Sequence, residues 1–192
     1  MIKKALLAAA VVASVIARPA NATPDERVTD YTHIFTATAA TLDTDSLDAL
    51  LSNISKWLAE NYDLPATGRL PQVKRAPPAE IAAIRYRLPF VSIQQPPAAD
   101  KGSETLAVYD DETETIYVPQ EWTGNSASDQ SVLVHELVHH LQNIGRQRYE
   151  CPQQREKLAY LAQDSWLAQN GSSLEQAFGV DPFTVFVRVS CI

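Results

Sequence analysis

Leu47, Leu50, Leu51, Ile54, Trp57 and Leu58 recur at the spacing of one helix face and predict a helix over 46–62, with Asp45 or Ser46 as its N-cap. Pro78 opens a second helix over 79–88, carrying Ile81, Ile84 and Leu88 inward. The longest helical pattern runs over 129–148, with Ser126 or Ser128 as the capping residue, and another begins at Pro152 and closes at Asn170-Gly171. A short helix is expected over 173–178. In 182–191, Asp181-Pro182 marks a helix start whereas Val185, Val187 and Val189 alternate like a strand; helix is the preferred reading.

Strand character is confined to a few short runs. Residues 105–109 and 115–118 flank Asp110-Asp111-Glu112-Thr113-Glu114 and predict a β-hairpin, with Pro119 ending its second strand before it can act as a central ladder. The proline-rich 64–78 reads as a connection with a short extended piece at 70–74, and 94–103 reads as a loop. Residues 23–44 are polar, Thr-rich and aperiodic, an N-terminal arm. The expected fold is α+β and helix-dominated, with a short hairpin ahead of two long helices.

The first 22 residues stand apart. Lys3 and Lys4 precede a stretch over 5–17 that is apolar but for Ser14, and Ala20-Asn21-Ala22 supplies the small-x-small pattern of a signal-peptidase site. A run this short is a poor bilayer span, and no cysteine follows it to carry a lipid, so no stable membrane anchor is expected. The reading is a signal peptide at 1–22, a single domain at 23–192, and export to the periplasm or medium. Cleavage removes three basic residues and no acid, taking the net charge from -7 to -10. That acidity argues against nucleic acid as a partner. In an oxidising compartment the two cysteines, Cys151 and Cys191, are expected to form a disulfide.

Candidate chemistry lies within the longest helix. His135-Glu136-Leu137-Val138-His139 places two imidazoles one turn apart on one face, where both can reach one zinc ion, with the Glu136 carboxylate flanking the same point as a candidate base. With His135 at zero, Leu133, Val134, Leu137, Val138, Leu141 and Ile144 fill an arc from about 160° to 300° at 100° per residue. His139, Asn143 and Glu136 fall between about 0° and 100°, with Val132 the one apolar residue there. No Lys or Arg occurs between Asp129 and Arg146, so this polar edge is unlike a solvated charged face. Zinc needs a third protein ligand. Glu156, early in the next helix and on a stripe continued by Tyr160, Gln163 and Leu167, is favoured over Glu150 in the connecting segment and over His140, which lies beyond Glu136 on the wheel.

On these residues the chain resembles zincin metallopeptidases of the gluzincin type, with the His135–His139 motif on one helix and Glu156-Lys157-Leu158-Ala159 on the next. It is similar to small exported bacterial proteins in which a strand hairpin precedes such a helix, and the resemblance spans residues 106 to about 167. It implies peptide or protein substrates, Zn2+ bound by His135, His139 and Glu156, and hydrolysis by a metal-activated water that loses its proton to Glu136. It also implies that an edge strand, 105–109 or 115–118, pairs with extended substrate. Tyr160, Tyr149, Tyr109 and His140 are candidate oxyanion donors. Some gluzincins place Asp four residues after the ligand Glu to orient a zinc histidine; here that position is Tyr160, so the orienting groups must differ. Three other readings share the motif: a non-hydrolytic zinc-bearing envelope protein, a zinc hydrolase acting on cell-wall peptide, and a helical domain with no metal. Trp57, Trp122 and Trp166 are expected to be packing aromatics, and Arg146, Arg148 and Arg155 to be solvated.

Overall fold

A computed structural model describes residues 43–87 and 107–191. The expected signal peptide at 1–22, the expected arm up to residue 42, the expected loop at 94–103 and the start of the first hairpin strand lie outside the described residues.

The described residues form α1 (Thr44–Asn61), β1 (Gln72–Ala76), α2 (Pro78–Arg85), β2 (Val108–Asp110), β3 (Thr115–Pro119), α3 (Ala127–Ile144), α4 (Gln153–Gln169), α5 (Leu174–Phe178) and α6 (Pro182–Val189). This is the helix-dominated α+β architecture expected from the pattern. α1 starts one turn earlier than its first leucine, because Asp43 rather than Asp45 or Ser46 caps it, accepting the Ser46 N–H at 2.8 Å. Ser126 caps α3 in the same way, through the Asp129 N–H. α4 ends at Asn170, with Gly171 left-handed at φ 69°. The helical reading of the C-terminal segment holds: Asp181 caps α6, Pro182 is its first residue, and Val185 and Val189 pack towards Tyr160, Leu167 and Leu174.

Three strands make the sheet, in the order β1-β3-β2. β2 and β3 are the expected hairpin, antiparallel, with Tyr109 opposite Ile116. Asp110 closes the turn by accepting the Glu112 N–H and the Thr113 hydroxyl. β1, foreseen only as a short extended piece, pairs parallel to β3, so β3 is the central strand. Pro119 is tolerated there because it is the last residue of the ladder, opposite Ala76, where β1 also ends.

α3 is the axis of the domain. It packs on α1, α4 and β2, and every residue from Gln130 to Gln142 is buried except His135. α1 supplies Leu51, Ile54 and Leu58, and α4 supplies Ala159, Ala162, Trp166 and Leu167. The small alanines permit close approach, and Trp57 meets Trp166 edge-to-face at 5.1 Å. Burial on nearly all sides explains why a helix with polar residues on one edge stays in place: that edge faces α4, β2 and the cleft between them.

Cys151 and Cys191 are joined, tying the connection before α4 to the end of α6. Replacing both by serine is expected to cost about 2–4 kcal/mol, seen as a lower melting temperature. A melting temperature unchanged by reductant would contradict a stabilising role for the bond.

Candidate metal centre

Helical spacing sets His135 and His139 one turn apart on α3, their rings 5.1 Å apart and edge-to-face. The α3–α4 hairpin brings back Glu156, in the first turn of α4, so that its two carboxylate oxygens lie 3.1 Å from His135 Nε2 and 3.4 Å from His139 Nε2. The three ligand atoms lie within 4.8 Å of one another, the only such trio among the described residues. Glu150, the first alternative ligand, is engaged with Gln154 and exposed. His140, the second, is buried away from the trio, between the Tyr109 hydroxyl and the Arg69 carbonyl.

Neighbouring amides fix the protons on both histidines. His135 Nδ1 lies 3.0 Å from Gln163 Oε1. The Gln163 amide nitrogen faces Ser131 Oγ, whose own proton goes to the Ser128 carbonyl. That hydroxyl can therefore only accept, and the Gln163 oxygen must be what faces His135. Gln142 repeats the device: its nitrogen donates to the Arg155 carbonyl at 3.1 Å, leaving its oxygen 3.1 Å from His139 Nδ1. Each imidazole thus carries its proton on Nδ1 and turns Nε2 towards Glu156.

That arrangement could hold a cation. As neutral imidazoles, two nitrogen lone pairs and a carboxylate converge on one point, which is repulsive. The alternative is to charge the rings. Burial opposes charge on His139, yet the Glu156 carboxylate outweighs burial and raises its pKa above the usual histidine value. Burial likewise pushes the Glu156 carboxyl upward, but His135 and His139 hold it far below the usual range. A divalent ion resolves the same conflict without the extra protons. Two nitrogens and one carboxylate, with Nε2 directed inward, could hold zinc with one position left open.

Glu136, also on α3, is 7% exposed. The Tyr109 N–H on β2 donates to its Oε2 at 2.8 Å, and Oε1 has no hydrogen-bond partner among the described residues. A cleft of about 970 Å³ lies between α2 and β2 on one side and the start of α4 on the other. His135, Glu136, Glu156, Pro152 and Arg85 line both this cleft and an adjoining cavity of about 600 Å³.

Several expectations need correction. The hairpin strand 115–118 is central and offers no free edge; of the hairpin only β2 is an edge strand, and its Tyr109 N–H is already taken by Glu136. Of the candidate oxyanion donors, Tyr109 and His140 spend their protons elsewhere: the His140 Nε2–H donates to the Arg69 carbonyl at 2.8 Å, so its Nδ1 accepts the Tyr109 proton. Tyr149 lines the first cavity with its hydroxyl bonded to Gln147, while Tyr160 lines the second, its ring 4.9 Å from that of His135. Arg155 is not solvated: it forms a two-pronged pair with Asp111, both bonds 2.8 Å, which anchors the start of α4 to the hairpin.

Gln142 and Gln163 were missed as orienting groups, although both were within reach of helical periodicity. Gln163 lies seven residues after Glu156 and Gln142 three after His139, each on its ligand's own face. Truncating either to Ala is expected to weaken zinc binding by about 10–100-fold. Competition with a chelator measures this, and unchanged affinity would deny them the orienting role.

The chain belongs to the DUF6647 family, a domain of unknown function, which matches residues 43–191. No curated protein and no solved structure matches it.

Proposed function

We propose that this DUF6647 domain is an exported, zinc-dependent hydrolase of the gluzincin type that cleaves peptide bonds. The observation that carries the reading is the pair of imidazoles whose Nδ1 protons are fixed by Gln163 and Gln142, so that both Nε2 atoms meet the Glu156 carboxylate. His135, His139 and Glu156 would hold the metal. When bound, zinc supplies Lewis acidity, polarising a carbonyl and making water acidic enough to attack near neutral pH.

The remaining roles fall to the chain itself. Glu136 accepts the proton on Oε1 while the Tyr109 N–H keeps Oε2 in place. Tyr160 is the better oxyanion donor: its oxygen accepts from Arg188 at 2.8 Å, and its own proton has no acceptor among the described residues. Glu136 favours hydrolysis over mere zinc retention, since a protein that only stored the ion would need no carboxylate there. The pattern of residues 1–22 and the Cys151–Cys191 bond both suit an exported protein. No helix among the described residues is long and apolar enough to cross a membrane.

The test is to incubate the zinc-loaded protein with a mixed peptide library and with cell-wall peptide fragments, reading products by mass spectrometry. Cleavage that a chelator stops and zinc restores is expected, and the substrate set cut separates general from cell-wall peptide hydrolysis. Intact substrates in the presence of full zinc would favour the non-hydrolytic envelope protein.

A further inference from the structure

The two cavities that meet at the metal centre differ in charge. In the larger, cations face acids: Arg155 is paired with Asp111, Arg87 lies 3.8 Å from Glu112, and Asp110 and Glu150 add further negative charge. In the smaller, the cations are Arg188 and Arg85, the latter shared with the larger cavity, and the only acids among its described lining residues are Glu136 and Glu156, both committed to the centre. Arg188 spends one nitrogen on the Tyr160 hydroxyl, a neutral group, with its guanidinium carbon 5.9 Å from the centre of that ring. Arg85, at the end of α2, has no hydrogen bond or ion pair with any described residue. Two guanidinium groups with no acidic partner among the described residues thus border one cavity of a chain whose net charge is -7.

We infer that this smaller cavity is a subsite for a carboxylate of the substrate, held by Arg188 and Arg85. Guanidinium groups suit the work, since their planar fork matches a carboxylate and their charge does not titrate away. Val132, Leu174, Phe178 and Val180 line the same cavity and give an apolar side chain a place beside the anion. The reach is short. Tyr160 touches both Arg188 and His135, its hydroxyl 2.8 Å from the guanidinium and its ring 4.9 Å from the imidazole. At about 3.3–3.6 Å per extended residue, the carboxylate falls within about three residues of the bond cut. The chemistry recognised is shared by a peptide's C-terminus and by an Asp or Glu side chain. This inference rests on the proposed metal centre and names its substrate class: peptides with an anionic group close to one side of the scissile bond.

The test uses three short peptide hydroxamates, which grip zinc directly: one with a free C-terminal carboxylate, one with a C-terminal carboxamide, and one with a carboxamide and an Asp side chain. Their affinities are measured by calorimetry on the zinc-loaded full chain, on Arg188→Gln, on Arg188→Lys and on Arg85→Gln. The wild type is expected to prefer a carboxylate-bearing probe over the neutral one by about tenfold or more, and the preferred probe identifies the source of the anion. That ratio should fall towards one in Arg188→Gln, recover in part in Arg188→Lys, and shrink in Arg85→Gln, whose exposed side chain carries no structural contact. Zinc content of each variant reports that the centre has formed. Equal affinity for all three probes in the wild type, or a preference that survives both glutamine substitutions, would overturn the anionic subsite alone. Failure of the wild type to take up zinc would overturn the metal centre and the subsite with it, and failure of every probe to bind a zinc-bearing chain would overturn the subsite.

Discussion

Glu136→Gln is expected to lower peptide hydrolysis by about 10²–10⁴-fold with zinc content unchanged. Glutamine has the shape of glutamate, and its amide oxygen can still accept the Tyr109 N–H that now reaches Oε2 at 2.8 Å. What it lacks is a basic oxygen at the Oε1 position. The loss should therefore fall on kcat, with substrate binding and the three ligands on α3 and α4 undisturbed. Steady-state kinetics beside metal analysis separates the two effects. Activity within threefold of wild type would remove Glu136 from the chemistry.

Glu156→Ala carries the second large effect. It deletes a ligand rather than an orienting partner, so zinc affinity should fall by more than the about 100-fold that outer groups command. The zinc-free protein should register the same change through its pH profile. A carboxyl held below its usual value stabilises the fold above about pH 4.3 and loses that contribution as pH falls. A histidine held above its usual value contributes fully below about pH 6.5 and loses it as pH rises. For the pair formed by Glu156 and His139 the contribution is therefore greatest between those limits. In the variant that window should disappear from a urea-denaturation series, and a series superimposable on wild type would show that the two groups do not interact.

Much of the fold could be read from local pattern, for a physical reason. α1, α3 and α4 each bury an apolar face at helical spacing, and the hairpin is declared by two short apolar runs around Asp110. The parallel pairing of β1 with β3 left no such mark, because it depends on segments separated by α2 and the following connection. Pro119 pointed away from a central strand, yet it sits at the rung where the ladder stops and no further donor is needed. At α1 the cap was assigned too late: Asp43, Asp45 and Ser46 all have capping chemistry, and only backbone geometry selects among them.

The candidate site divides in the same way. The juxtaposition of His135 with His139 follows from one helix turn, and the approach of Glu156 from a short helical hairpin, so both could be anticipated. Gln142 and Gln163 lie on the correct faces, but a glutamine there has many uses, and only its neighbours Ser131 and the Arg155 carbonyl determine which end of the amide points at a histidine. Arg155 looked like a solvated charge near a helix start; its partner Asp111 is 44 residues away on the hairpin turn. Arg188 had no signal at all, because its place beside Tyr160 depends on α6 folding back onto α4.

The measurement closest to the central claim is the metal content of the purified protein after loading with zinc and exhaustive dialysis, taken beside His135→Ala, His139→Ala and Glu156→Ala. One zinc per chain is expected in the wild type, with loss in all three variants. A wild type that takes up no zinc, or variants that keep it, would contradict the assignment of His135, His139 and Glu156 as a metal centre.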